Sequence, residues 1–187
     1  MRFVVIYDAC VLYPAPLRDL LIRLAMTGMF AARWTEQIHD EWMRNLVAKR
    51  PELREAVYRT RTLMNEAVPD CLVEGHEPLI DGLTLPDPDD RHVLAAAIRA
   101  GAQLIVTANL KDFPAKVLDG FGIEAVHPDR FVEQQMDLHE GVVVAAAKQQ
   151  RAALRNPPVE ATDFLDLLAA QGLVVTADRL RAFQQFI

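Results

Sequence analysis

The chain is poor in cysteine, in long apolar runs and in positive charge, and each shortage removes a class of function. Two cysteines in 187 residues, Cys10 and Cys71, cannot build a disulfide framework or a zinc knuckle. They suit a reducing compartment, where a free thiol behaves as a small buried apolar group. No apolar stretch approaches the ~20 residues that cross a bilayer. The first apolar run, Phe3 to Tyr7, stops at Asp8 and is too short for the core of a signal peptide, so a cytoplasmic protein is expected. The third shortage is basic charge: 20 Lys and Arg stand against 26 Asp and Glu, for a net charge of −6. A non-specific nucleic-acid binder is usually basic, because neutralising phosphates supplies most of its affinity. An acidic chain can still act on nucleic acid if some of its acids hold cations.

Half of the residues are hydrophobic, enough for one globular domain, or one domain with a small appendage. Residues 2–7 form a nearly continuous β-branched and aromatic run, the pattern of a strand buried on both faces. Leu17, Leu20, Leu21, Leu24 and Ala25 are at helical spacing in a segment that ends near Gly28. A second helix is predicted from Thr35 as N-cap, with Ile38, Trp42 and Leu46 inward, and ends at Pro51. Leu53, Val57 and Leu63 mark a third helix, and Leu72–Val73 a short strand. Residues 81–88 read as a loop, 89–100 as a helix closed by Gly101, and 104–107 and 123–126 as short buried strands. Strands alternating with helices predict an α/β fold around a parallel sheet. From 140 onward the pattern is helical only, with starts near Pro158 or Thr162 and at Thr176, and a break around Asn156-Pro157-Pro158. The expected division is therefore a domain over 1–135 and a helical appendage over 136–187. No repeat or low-complexity segment is visible.

Ligands of open α/β sheets bind beyond the carboxyl ends of the strands, and acids gather there. Asp8 ends the first strand. Asn109 and Asp112 follow the strand at 104–107. Asp87, Asp89 and Asp90 open the helix before it, and Glu41 lies at the margin of the apolar stripe of the second helix. Two carboxylates ~4 Å apart repel by ~4 kcal/mol at an effective dielectric near 20. They share a proton, pair with bases or bind a cation. Apart from Arg91 and Lys111, bases are sparse beside these acids, so a hard divalent ion, Mg²⁺ or Mn²⁺, is the natural resolution. Such ions activate water and stabilise the leaving oxygen of a phosphodiester.

Each acid also has a purely structural reading. Asp87-Pro88-Asp89-Asp90 is a helix N-terminus signature, with Asp87 as N-cap and Asp90 as the reciprocal capping acid. Glu41 can be a solvated helix residue, and Asp8 a cap for the following turn. His39 and His92 read as structural or solvated. Cys10 reads as packing, since no partnered histidine is evident.

The residues that carry these features resemble a known family. Val-Ile-Tyr-Asp8-Ala-Cys-Val-Leu, Glu41-Trp-Met-Arg-Asn-Leu, Asp90-Arg-His-Val-Leu-Ala-Ala-Ala with Gly101 following, and Leu-Ile-Val-Thr107-Ala-Asn-Leu-Lys-Asp112-Phe113 are similar, in order and spacing, to PIN-domain proteins over about residues 2–131. The likeness is to the VapC-type ribonuclease toxins of toxin–antitoxin pairs. It implies a three-layer α/β/α fold and a Mg²⁺- or Mn²⁺-dependent endoribonuclease with Asp8, Glu41 and Asp90 as metal ligands. It also implies a homodimer and an antitoxin whose tail covers the site. One position departs from the pattern. The family often has an aspartate two residues after Thr107, and this chain has Asn109. Either Asn109 is a neutral oxygen ligand, or Asp112 substitutes, or the fourth ligand is lost.

The expected protein is thus a ribonuclease acting on single-stranded or loop RNA, with Asp8, Glu41, Asp90 and Asp112 catalytic and Asn109 as a further metal ligand. Lys111, Arg91 and Arg44 are candidates to meet phosphates. Two rivals differ in class. A haloacid dehalogenase-type phosphatase also begins with a strand ending in a nucleophilic Asp, but it needs a second acid two residues on, where this chain has Cys10. A PIN-like binding or scaffold module without turnover is the other.

Overall fold

A computed structural model describes residues 3–187; Arg2, at the start of the expected first strand, lies outside the described residues. Strand β1 (Val4–Tyr7) is followed by the single turn α1 (Ala9–Leu12), helix α2 (Ala15–Met26) and strand β2 (Ala31–Arg33). Helices α3 (Glu36–Lys49), α4 (Arg54–Ala67) and the short α5 (Glu77–Ile80) come next. Then follow α6 (Arg91–Ala100), β3 (Leu104–Val106), the turn α7 (Ala115–Leu118) and β4 (Glu124–Val126). Three helices close the chain: α8 (Pro128–Ala153), α9 (Ala161–Ala170) and α10 (Val174–Arg181).

The four strands are parallel in the order β2-β1-β3-β4. Val5, Ile6 and Tyr7 are consecutive and all fully buried. Successive strand residues point to opposite faces, so helices must cover both sides of the sheet, which gives three layers. On one side the Tyr7 hydroxyl donates to the Leu21 carbonyl of α2 at 3.1 Å. Helix α6 packs against β1 and β3 and closes on Gly101, whose φ of 61° is the left-handed conformation that glycine adopts without strain. The order also fixes where the site lies. From β1 the chain goes to one side for β2 and then crosses back to β3 on the other, so the crevice beyond the ends of β1 and β3 is the switch point of the sheet.

Helix α3 starts as expected: Thr35 accepts from the Ile38 amide at 3.0 Å, and Ile38 and Trp42 are fully buried. Several expectations need correction. In α4 it is Met64, a heptad after Val57, that faces inward, and Leu63 is 56% exposed; one residue of helix is about 100° of rotation. Leu72 makes only a single parallel bridge to Trp34 beyond the edge of β2, not a strand. The helix expected from Asp89 starts at Arg91, after a 3-10 turn over Pro88–Asp90. The helical region begins at Pro128, before the expected 140: two helical stretches meet at His139, whose backbone is not helical, and the second runs on from 140 as expected. Helix α10 begins at Val174 instead of Thr176, and α9 at Ala161, between the two starts expected. Among the described residues no helix is long and apolar enough to cross a membrane.

Candidate active site

Asp8 stands where β1 runs out. Its amide donates to the Val106 carbonyl at 3.1 Å, continuing the β1–β3 ladder, and its side chain turns into the crevice at 3% exposure. A buried carboxylate is costly unless it is hydrogen-bonded. Thr107 and Cys10 meet that need, with the Thr107 hydroxyl at 2.7 Å and the Cys10 thiol at 3.1 Å from Asp8 Oδ2. Burial still outweighs these bonds and holds the Asp8 carboxyl above its ordinary value. Thr107 is satisfied on its other side by the Asn109 amide at 3.0 Å. Burial and the nearby Asp8 push the Cys10 thiol up to about 12, which disfavours the thiolate that a nucleophile needs. That leaves nothing acidic at the position where a dehalogenase-type phosphatase needs its second acid.

Three further stretches converge on Asp8. Asp90, half-buried in its 3-10 turn, has its carboxyl pushed up to about 7 by burial, then by Asp8, Asp87, Asp112 and Glu41 around it. Glu41 is also felt by Asp8, and it accepts from His92 Nε2 at 3.2 Å. The capping expectation divides. Asp87 does cap, accepting from the Asp89 amide at 2.9 Å, while Asp90 makes no side-chain cap. Asp89 is exposed, and its part is to supply the amide that Asp87 caps. Asp112, partly buried, ends a 3-10 turn and bears on Asp90. Asn109 is exposed and lines a pocket of ≈ 450 Å³ together with Glu41 and Cys10.

Among the described residues, none of Asp8, Asp90, Asp112 or Asp87 is ion-paired, and Glu41 pairs only with His92. Among the same residues, no three His, Cys, Asp or Glu side chains already stand together as a cage for an ion. The two facts are compatible with a hard divalent cation. Mg²⁺ keeps several waters and takes only one or two direct carboxylates, and uncompensated acids repel one another until an ion draws them in. The donors on hand, carboxylate oxygens with one amide oxygen, are those that Mg²⁺ or Mn²⁺ prefers.

The bases are distributed differently from the expectation. Arg91 is bound to the Pro88 carbonyl at 2.9 Å, and Lys111 is exposed beside Asp112. Arg44 lines a separate cavity with Asp40, Arg54 and Tyr58. The cation that lines the pocket beside Glu41 is Lys49. Sequence reasoning left out Lys49, the buried Thr107 and His92. Thr107 lay within a quoted motif, and a polar residue that ends an apolar strand was its one signal.

The PIN domain family profile matches residues 4–111, more than half of the chain. A second profile, the VapC50 C-terminal domain, matches residues 128–182, which spans α8 to α10. A curated relative from Mycobacterium tuberculosis (strain ATCC 25618 / H37Rv), named "Putative ribonuclease VapC50", is 43% identical over 94 residues. That alignment covers 50% of this chain and 56% of the relative, so the chain spans little more than half the length of the curated relative it matches. No solved structure matches.

Proposed function

Because this chain belongs to the PIN-domain family, we propose that it is a Mg²⁺- or Mn²⁺-dependent endoribonuclease of VapC type, the toxin of a toxin–antitoxin pair. Its substrate is single-stranded or loop RNA. Its partners are a second copy of itself and a cognate antitoxin, and its compartment is the cytoplasm. Residues 1–135 carry the chemistry, and 136–187 form a helical appendage packed on them. The observation that carries the reading is the convergence of Asp8, Glu41, Asp90 and Asp112 at the switch point, where among the described residues no lysine or arginine forms an ion pair with them.

When bound, the divalent ion activates a water and offsets charge on the phosphodiester. Asp8 and Asp90 are its principal ligands. Thr107 and Cys10 both donate to Asp8 Oδ2, which fixes the direction of the carboxylate. Glu41, oriented by His92, is a further ligand or positions the attacking water. Asp112 and the Asn109 amide oxygen complete the set. Burial of Asp8 excludes bulk water from the inner wall of the crevice, where electrostatic interactions are stronger.

The test combines thermal melting of the full chain with an RNA cleavage assay. Millimolar Mn²⁺ is expected to stabilise the fold by mass action, by ~2.7 kcal/mol at a hundred times its Kd, and so to raise the melting temperature. Asp8→Asn is expected to abolish cleavage while the metal-free protein is as stable or more so, because a buried charge is removed. An unchanged melting curve with Mn²⁺ would sink the metal site. Intact cleavage with a stability loss of ~0.5–2 kcal/mol, as for a cap, would make Asp8 structural. Asn109 favours one second reading, a PIN fold retained for RNA binding without turnover. Its signature is a Mn²⁺-induced shift and RNA binding with no cut product.

A further inference from the structure

The ≈ 450 Å³ pocket beside the acids has the composition of a nucleotide subsite rather than of a metal site. Trp42, fully buried, forms its floor. Glu41, Asn45 and Lys49 line it from one side of α3, at spacings of four residues that place them in a row. From Glu41 to Lys49 that row rises about 12 Å at 1.5 Å per residue. Tyr13, at the end of α1, faces it, and the Lys49 ammonium lies 5.3 Å from the centre of the Tyr13 ring. Asn109 lines it as well, and so do Glu41, one of the acids, and Cys10, whose thiol bonds to Asp8. The pocket therefore adjoins the acids, and beside them it offers an aromatic face, an amide and a cation.

We propose that this pocket takes the base of the nucleotide next to the scissile phosphate of a single-stranded RNA; the proposal rests on the nuclease reading above. Unstacked bases of single strands are held by stacking on aromatic rings and by hydrogen bonds to their edges. Tyr13 supplies the ring, and the Asn45 amide, with both donor and acceptor, reads the base edge. In the free protein Lys49 occupies the ring face. On binding, the base takes that face and Lys49, which is exposed and flexible, turns to a flanking phosphate. This also accounts for an acidic protein with a cation at this position, since Lys49 meets the phosphate backbone where the carboxylates repel it. Arg18, 4.7 Å from the centre of the Trp42 ring and hydrogen-bonded to the Leu12 and Tyr13 carbonyls, braces the floor and the turn that presents Tyr13.

The experiment uses the full chain and RNA decamers of one sequence in which an abasic nucleotide is moved along the strand. Cleavage is followed with Mn²⁺, and binding by fluorescence anisotropy in EDTA. Tyr13→Leu is expected to raise KM by about 5- to 150-fold, the equivalent of one lost base stack, and Tyr13→Phe to leave it near wild type. In the wild type one abasic position beside the cut imposes a similar penalty, and in Tyr13→Leu that position imposes none, because the two changes remove the same contact. Lys49→Ala is expected to weaken binding and lessen its salt dependence. Should Tyr13→Leu fail to fold, Ala48→Trp, at an exposed α3 position lining the pocket, fills it without touching the core and is expected to impose the same KM penalty. Wild-type KM in both Tyr13→Leu and Ala48→Trp, or an abasic penalty that survives in Tyr13→Leu, overturns the proposal. If the wild type cuts no RNA, the nuclease reading falls by itself, and the anisotropy arm still decides: equal RNA binding by wild type and variants removes the pocket.

Discussion

The His92 ring gives its Nε2–H to Glu41 at 3.2 Å, since a carboxylate can only accept, and this leaves Nδ1 buried with no partner among the described residues. The contact fixes the carboxylate's direction, much as outer partners fix metal-ligating side chains elsewhere, at ~10–100-fold in activity or metal affinity when removed. His92→Gln keeps an amide N–H near the place of Nε2 and is expected to retain cleavage. His92→Asn reaches only to the place of Nδ1 and is expected to lose about tenfold or more. Equal activity in the two variants would make His92 mere packing. His39 does structural work instead. Trp42 donates to its Nδ1 at 3.0 Å, so Nε2 carries the proton and donates to Asn65 at 2.9 Å, an oxygen that Trp34 also uses. Burial lowers the His39 pKa from 6.5, and a proton on Nδ1 would face the Trp42 N–H donor. The sign follows from linkage: His39 contributes stability above 6.5 that is lost as pH falls below it. His39→Gln is expected to be less stable at pH 8 yet to lose less between pH 7 and 5, which melting curves across that range measure; parallel losses would refute the assignment. The structural reading of His39 holds, but neither partner was legible in the sequence. His92 meets Glu41 51 positions away, and His39 meets Asn65 26 away, distances at which sequence carries no signal of contact.

Elements differ in how far their own residues specify them. Thr35 with Ile38 and Trp42, or Gly101 after an apolar run, are local signals, and α3 and α6 form where those signals lie. The turn from Thr107 to Phe113 is less determined. It places Asn109 in the pocket with Glu41, and Asp112 where its charge bears on Asp90. Asp112→Asn is expected to cut cleavage by about as much as Asp8→Asn and to shrink the Mn²⁺-induced rise in melting temperature. Asn109→Ala is expected to matter less, and Asn109→Asp to strengthen that rise, because a full negative charge replaces a neutral oxygen. Unchanged cleavage in both Asp112→Asn and Asn109→Ala would show that three acids suffice. The start of α8 was misread for a reason of the same kind. Its N-cap is His127, accepting from Asp129 at 3.2 Å, and histidine is not among the residues that announce a helix start.

At the scale of the molecule, one apolar core runs from Val5 through Phe131 and Val143 to Phe164, Leu168 and Ile187. Helix α8 passes uninterrupted by any loop through residues 135–136 and packs on α2, and Asp129 accepts from the Val175 and Thr176 amides at 2.9 Å, tying α10 to the start of α8. The appendage and the sheet domain are therefore expected to unfold together. Phe164→Ala removes a fully buried ring and is expected to cost about 3–5 kcal/mol while keeping a single calorimetric transition. Two separated transitions, with the nuclease unaffected by the variant, would show instead that 136–187 folds on its own.

What the sequence alone determined about this protein is its local grammar: the two central strands buried on both faces, helices with caps and glycine stops, and acids standing just past strand ends. Those follow from forces acting within a few residues, and they were enough for the α/β class, the family resemblance and the candidate acids. The tertiary structure alone decided which of those acids share a crevice, that His92 backs Glu41, that Arg44 turns to another cavity and Lys49 to this one, and that the tail joins the core. Electrostatic repulsion and burial are properties of distances in space, and the parallel sheet brings Asp8 beside Thr107 across 99 positions of chain.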